Sequence, residues 1–138
     1  MKPRTFNYDR LVKSEDLNHH QTLFAGRCSE WFVETGFIAV ASILPSRNIV
    51  CVKIHGLSFT SPLNSGDIAC FESKIVHAGR TSVKVHVAVK DYKKNQTLVQ
   101  GFITFVHVDD NGKSQPHGLS LELTEPEDIE LNQQAKLL

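Results

Sequence analysis

The chain has 138 residues, with 15 Lys and Arg against 15 Asp and Glu and 41% hydrophobic residues. This length predicts a single domain with one hydrophobic core, and the balanced charge argues against a dedicated nucleic-acid-binding protein. No stretch reaches the ~20 apolar residues of a spanning helix, so no membrane partner is expected. We treat residues 1–138 as one domain, with a core of about 5–118 and a C-terminal tail of 119–138.

The cysteines predict a reducing environment. Cys28, Cys51 and Cys70 are odd in number, lie far apart and form no Cys-x-x-Cys pair, which suggests neither a disulfide framework nor a zinc knuckle. The N-terminal residues Met1–Thr5 lead into polar residues rather than the apolar segment of a signal peptide. We therefore expect a soluble cytoplasmic protein.

The first long element is a predicted helix from Thr22 to Leu44. Its apolar residues fall on two stripes at helical spacing, so it is expected to be buried on most sides. Thr22 is a residue type that caps a helix start, and Pro45 ends the helix because proline lacks the amide that a helix requires. The stripes are Phe24, Cys28, Trp31 and Thr35, and Val33, Phe37, Val40 and Leu44.

Four strands are predicted after the helix, separated by turn residues. The third is the clearest, because valines stand at every second position from Val83 to Val89, the pattern of a half-buried strand. A weaker first strand is predicted near Thr5 to Val12, and a short helix in the tail from Thr124 to Leu138. The four strands are Ile49–Phe59, Ile68–His77, Ser82–Lys90 and Thr97–Val108.

This order of elements predicts an α+β protein in which an antiparallel β-sheet packs on one long helix. A sheet that wraps around a central helix in this way is called a hotdog fold. No helix separates the later strands and neither common glycine-rich phosphate loop is present, which argues against a doubly wound nucleotide-binding fold.

The stretch that leads into the helix carries the most informative pattern in the chain. It resembles the Asn-x-x-Gly-x-x-Phe-Gly-Gly entrance of the hotdog-fold acyl-CoA thioesterases, the group of short-chain bacterial and brain-type acyl-CoA hydrolases. Asn18, Phe24 and Gly26 match this spacing, whereas Gln21 and Ala25 replace glycines.

Further matches to this family follow in the same order and extend the resemblance from about Asn18 to Pro116. The resemblance implies hydrolysis of a fatty acyl-CoA to a free acid and coenzyme A, with no cofactor beyond the coenzyme A of the substrate. Each motif is short, but the ordered set is fairly specific. The motifs are Phe59–Pro62 with Gly66–Asp67, Gly79–Val83, and Phe105–Asp109 with Gly112–Lys113.

The resemblance also implies the catalytic residues. In such enzymes a carboxylate on the central helix is general base or nucleophile, and the entrance asparagine orients the attacking water or the substrate. These roles fall on Glu34 and Asn18, and backbone amides at the helix start near Gly26 would face the developing oxyanion. As plain alternatives, Asn18 caps a turn and Glu34 is a solvated or interface glutamate.

The chain departs from the family at the acidic position. Seven residues after Gly26, where many relatives place the acid, stands Val33, and Glu34 comes one residue later. One residue turns a helical side chain by about 100°. Either the entrance is re-registered so that Glu34 takes the role, or the activity is altered or lost, which would leave a non-catalytic acyl-CoA binding module.

A hydroxyacyl dehydratase of the same fold is a further enzyme class to weigh, because His20 and Glu34 have the spacing of its His–acid pair. The Phe-Pro-Gly that should follow the histidine is replaced by residues 21–23, Gln-Thr-Leu, which disfavours this class. His19 and His20 have no partner at a metal-ligand spacing, so no metal site is predicted.

Arg80, Thr81 and Ser82 follow a glycine and open a predicted strand. The resemblance implies that this region holds coenzyme A, and a guanidinium suits phosphate oxygens. The alternative is a solvated turn whose hydroxyls satisfy local backbone amides.

A small sheet with one helix leaves edge strands and apolar surface that a second copy can cover. We expect a homodimer as the minimum unit, with a tetramer or hexamer left open. In the relatives the active site lies at the dimer interface, so Asn18 and Glu34 acting together would come from different chains.

Overall fold

Five strands and two α-helices make up the computed structural model of this protein, which describes residues 1–138. All strand pairs are antiparallel, and the strands lie in the order β1-β3-β4-β5-β2, so that β1 and β2 are the edges. The elements are β1 (Phe6–Leu11), α1 (Ala25–Ala41), β2 (Ile49–His55), β3 (Ile68–Ala78), β4 (Ser82–Asp91), β5 (Gln96–His107) and α2 (Pro126–Lys136).

Helix α1 crosses one face of the sheet because much of its length is apolar. Trp31 and Phe32 are fully buried, and the Trp31 ring meets Phe71 of β3 edge-on at 6.2 Å. Gly36 lets the helix approach β5, since a β-carbon there would lie 2.8 Å from the side chain of Ile103. Burial of each large apolar side chain contributes about 1.5–3 kcal/mol. The predicted sheet around a central helix is thereby confirmed.

Helix α2 packs on the opposite side of the sheet, against β3 and β4. The Lys74 ammonium lies 2.8 Å from the buried Asp128 carboxylate, and Asn132 donates to the Val76 carbonyl at 2.8 Å. At the far end the Lys84 ammonium donates to the Ala135 carbonyl at 2.9 Å, where a cation opposes the negative end of the helix. Neither α1 nor α2 is both long enough and apolar enough to cross a membrane.

The predicted bounds of α1 were too wide at both ends. Thr22 does not cap the helix, because residues 22–23 make strand-like contacts with residues 63–64 and the helix begins only at Ala25. The last helical residue is Ala41, three residues before the predicted end at Leu44. Leu44 directly precedes a proline, and that position disfavours the helical conformation.

The other predicted elements are confirmed with small changes in their bounds, apart from the end of β2. That strand stops at His55 rather than Phe59, because Gly56 has a φ of 59° and turns the chain away from the sheet. The carbonyl of Gly56 then lies over β5, where a β-carbon on Gly101 would come within 2.5 Å of it. This turn brings residues 57–63 beside the start of α1.

Candidate active site

Residues 17–24, which we call the entrance loop, are tied down before the helix begins. Leu17 and Leu23 form an isolated antiparallel bridge, and the Leu23 amide donates to the Leu63 carbonyl at 2.8 Å. At the tip of the loop Gln21 has a φ of 62°, in the left-handed region that favours glycine. Glutamine therefore adopts a conformation that favours glycine at the position where the family motif has glycine.

The carboxamide of Asn18 makes hydrogen bonds through both its oxygen and its nitrogen but keeps one N–H hydrogen free. Its Oδ1 accepts hydrogen bonds from the amides of His20 at 2.8 Å and Thr22 at 3.2 Å. Its Nδ2 contacts only the Thr22 hydroxyl, at 3.1 Å, so one of its two hydrogens has no protein acceptor. Asn18 thus holds the turn that follows it, rather than ending a helical turn at residues 14–18, and still retains a free donor.

A cavity of about 390 Å³, which we call the entrance cavity, opens between the entrance loop and the segment after β2. Its lining is mainly apolar, and burial raises the pKa of the Cys28 thiol in its wall to about 11, so this thiol is neutral. The cavity can therefore hold an apolar chain beside a few polar groups. Its polar lining includes Asn18, Thr22 and Thr60, and its apolar lining includes Leu23, Leu63 and Leu98.

The first turn of α1 contributes unpaired backbone donors at this position. The amides of Ala25, Gly26 and Arg27 have no backbone acceptor, because no helical carbonyl precedes them. Ala25 lines the entrance cavity, whereas Gly26 faces a neighbouring depression and lies under the Phe24 ring. A β-carbon at Gly26 would come within 2.6 Å of that ring, which gives a packing reason for glycine here.

Glu34 lies in a different depression on α1, an open groove of about 460 Å³ that we call the helix groove. The groove is almost wholly apolar and is bordered by Val33, Glu34, Phe37, Ile38, Cys51 and Phe105. Glu34 is exposed there, and the Tyr8 hydroxyl lies 3.5 Å from its Oε2. Val33, at the usual position of the acid, is half-buried and packs against the core.

The structure does not bring Asn18 and Glu34 together within one chain. The two side chains line separate cavities, and Glu34 follows the first helical residue, Ala25, by nine positions. At the helical rise this separation is about 13 Å along the axis. A site that uses both groups therefore needs a second copy of the chain.

Arg80, Thr81 and Ser82 lie at the turn between β3 and β4. Their backbone carbonyls accept hydrogen bonds, but their side chains form no hydrogen bond or ion pair within the protein. The register pairs Ser82 with Val106, while the entrance cavity borders Val99 near the other end of β5. The turn and the entrance cavity are thus about 20 Å apart in one chain.

The histidines do not form a metal centre. No group of three or more His, Cys, Asp or Glu residues is placed to hold a metal ion. His20 is exposed, lies beside His19 with ring centroids 4.1 Å apart and the rings tilted by 45°, and does not line the entrance cavity. This position gives the dehydratase hypothesis no support.

Sequence reasoning assigned no site role to three residues that shape this region. Thr60 and Cys28 line the entrance cavity, and Asp16 is buried at the base of the entrance loop. Thr60 belongs to the Phe-x-x-Pro motif noted from the resemblance, which is a usable signal. No local pattern distinguishes Asp16 from a surface aspartate.

The antiparallel sheet on a long central helix, with a cavity at the helix entrance, defines a hotdog-fold domain. The chain belongs to the thioesterase superfamily, whose family model matches residues 20–97.

Similar proteins carry acyl-CoA hydrolase names. YkhA of Bacillus subtilis, named as an uncharacterized acyl-CoA thioester hydrolase, is 31% identical over 105 residues, which cover 73% of this chain and only 60% of YkhA. The acyl-CoA thioester hydrolase YciA of Escherichia coli is 28% identical over 123 residues, covering 81% of this chain and 88% of YciA. The crystal structure of an apo, hexameric acyl-CoA thioesterase is similar with a TM-score of 0.86 and 27% identity, covering 96% and 86% of the two chains.

Proposed function

We propose that this protein hydrolyses fatty acyl-CoA thioesters to a free acid and coenzyme A. The observation that carries the proposal is the entrance cavity, in which an unused Asn18 donor and the unpaired Ala25 amide border an apolar lining. Such a cavity matches the substrate, because an acyl-CoA has an apolar chain next to a polar thioester carbonyl. The names of the similar proteins support the same reaction.

In the proposed reaction the Glu34 carboxylate takes a proton from water, and the water oxygen adds to the thioester carbonyl carbon. Negative charge then develops on the carbonyl oxygen, where the amides at the start of α1 donate hydrogen bonds. The carbon–sulfur bond breaks, Glu34 returns its proton to the sulfur, and coenzyme A leaves as a thiol. Asn18 orients the water or the thioester through its free Nδ2 hydrogen.

The edge strand β2 supports a homodimer as the unit that assembles this site. Val50, Val52 and Ile54 are 41%, 55% and 40% exposed on an unpaired edge. Antiparallel pairing of two copies about Val52 would set the start of one β2 beside the end of the other. Cys51 borders the helix groove, and residues 57–63 lead from β2 to the entrance cavity. The groove of one protomer would then face the entrance cavity of its partner.

The coenzyme A moiety is assigned to the turn at Arg80, Thr81 and Ser82. The side chains of these residues are unused within the protein, and a free guanidinium beside two hydroxyls suits a phosphate group. The proposed reaction needs no cofactor beyond the coenzyme A that is part of the substrate. The free thiols of Cys28, Cys51 and Cys70 support a cytoplasmic location.

The test measures thiol release from butyryl-, octanoyl- and palmitoyl-CoA. We expect Glu34→Gln to lower kcat at least 100-fold, because the proposed general base is lost. Asn18→Asp retains oxygen acceptors for the loop but has no N–H, and we expect it to lower kcat at least tenfold. The double variant Val33→Asp, Glu34→Gln tests whether an acid at the usual family position restores turnover.

A protein that binds acyl-CoA without turnover, with binding unchanged in Glu34→Gln, would contradict the proposal. That outcome would instead identify a binding module, in line with Val33 at the usual acid position. The control is Glu130→Gln on α2, which lies outside both cavities and should match the wild type.

A further inference from the structure

A buried carboxylate lies at the base of the entrance loop. The Asp16 side chain is 1% exposed, and its Oδ1 accepts a hydrogen bond from Arg27 Nε at 2.8 Å. Its Oδ2 accepts from the backbone amide of Lys13 at 2.9 Å. A charged group is placed out of water only where such partners compensate the loss of hydration. Both oxygens of Asp16 are therefore committed to fixed donors.

The charge state of this pair is well defined. Burial alone would raise the pKa of Asp16, but the hydrogen bonds from the Lys13 amide and from Arg27 outweigh it and lower that pKa. Arg27 is held on its outer side by Glu30 at 3.3 Å and lies 5.7 Å from the centre of the Trp31 ring. Asp16 and Arg27 are thus both ionised near neutral pH.

The ion pair spans the entrance loop. Asp16 directly precedes residues 17–24 and Arg27 lies in the first turn of α1, so the pair links the two sides of the loop. The Asp16 carbonyl also accepts from the Phe24 amide at 2.9 Å. The Cys28 amide of α1 donates to the Phe24 carbonyl at 3.0 Å, and the remaining backbone contacts of the loop lie within the loop or reach residues 63–64 of a separate segment. The pair is the side-chain link that connects the loop base to the helix.

Arg27 does not line the entrance cavity, so it does not touch a substrate bound there. We propose that Asp16 and Arg27 are positioning residues, whose ion pair holds the entrance loop so that the free Asn18 donor and the Ala25 amide face one cavity. This inference rests on the proposed function. Without the pair, the loop would shift relative to α1, and small errors in the placement of catalytic donors are costly.

The experiment compares Arg27→Met, Arg27→Lys and Asp16→Asn with Glu30→Gln as the matched control. Glu30→Gln removes the exposed partner of Arg27 and leaves the buried pair intact. Two readouts are taken below the unfolding temperature of every variant: hydrogen exchange of amides 17–24, and kcat with KM for acyl-CoA hydrolysis.

We expect Arg27→Met to raise the exchange rates of amides 17–24 and to lower kcat about tenfold or more, with KM changed less than threefold. Arg27→Lys should recover part of kcat because it keeps the charge, and Asp16→Asn should resemble Arg27→Met. Glu30→Gln should match the wild type in both readouts.

Faster loop exchange in Arg27→Met with an unchanged kcat would overturn the inference, as would an equal loss of kcat in Glu30→Gln. Unchanged exchange in both Arg27→Met and Asp16→Asn would overturn it as well. A wild type without turnover would instead contradict the proposed function, and the exchange measurements would still decide whether the pair holds the loop.

Discussion

Gln21 has a backbone conformation that is unfavourable for a residue with a side chain. Its φ of 62° lies in the left-handed region, where a β-carbon meets the following carbonyl. A residue other than glycine pays roughly 1–2 kcal/mol for this conformation. The side chain is exposed and makes no hydrogen bond that would offset the cost. The family motif has glycine at this position, and the geometry explains why.

Gln21→Gly is expected to increase the free energy of unfolding by about 0.5–1 kcal/mol. Relief of the left-handed conformation exceeds the extra entropy that glycine gives the unfolded chain. Urea denaturation measures the change. Gln21→Ala is the control, since it removes the side chain beyond the β-carbon and should gain nothing. An equal gain in both variants would show that the long side chain, rather than the backbone, is the unfavourable part.

Only some residues of the candidate site could be predicted from the sequence. Asn18 and Glu34 could be chosen from the entrance motif and the helix that follows it, and their catalytic roles stay predictions. Asp16 could not be chosen, because its burial depends on Arg27, eleven residues further along the chain and in another element. Thr60 and Cys28 likewise share a cavity only after β2 has turned away from the sheet.

Gly101 shows how two strand elements set the shape of the entrance cavity. It is buried in β5, and a β-carbon there would lie 2.5 Å from the Gly56 carbonyl and 3.2 Å from that of His55. Both contacts are to backbone, which cannot rotate away as a side-chain tip can. Glycine at this position therefore lets the chain at the end of β2 pass close to the β5 backbone before residues 57–63 reach the cavity.

Gly101→Ala is expected to lower the free energy of unfolding by about 1–3 kcal/mol, the usual cost of overpacking a filled interior. Thermal and urea unfolding measure this loss. Gln100→Ala, the adjacent and exposed position on β5, is the control and should have a much smaller effect. If Gly101→Ala were as stable as the wild type, the approach of residues 55–56 to Gly101 would be looser than the contact distances imply.

At the scale of elements, the sequence predicted what local patterns determine. The alternating valines predicted β4 and the apolar stripes predicted α1, because burying one face of a strand or helix makes apolar residues recur at the period of that element. The ends of α1 and β2 were wrong where long-range contacts decide them. Residues 22–23 pair with residues 63–64 instead of starting the helix, and the turn at Gly56 ends β2 early.

For the whole molecule, the unpaired edge at β2 is the feature that a single chain leaves unexplained. Val50, Val52 and Ile54 are exposed along this edge, and Cys51 of the same strand borders the helix groove together with Ile38 of α1, which is 42% exposed. Exposed apolar side chains along an open strand edge are typical of an interaction site in soluble proteins. A second copy would cover this surface and complete the site at the same time.

A mixed dimer tests this arrangement directly. Asn18→Asp and Glu34→Gln chains, each expected to retain no more than a tenth of the wild-type kcat alone, are co-expressed with different tags so that they pair at random. Half of the dimers are then mixed, and each mixed dimer has one site with both native residues, so about one quarter of wild-type turnover should return. Purified dimers that carry both tags should have about half of the wild-type turnover, because one of their two sites is native. Each variant expressed alone is the control. If doubly tagged dimers form without regaining turnover, Asn18 and Glu34 do not act across the interface.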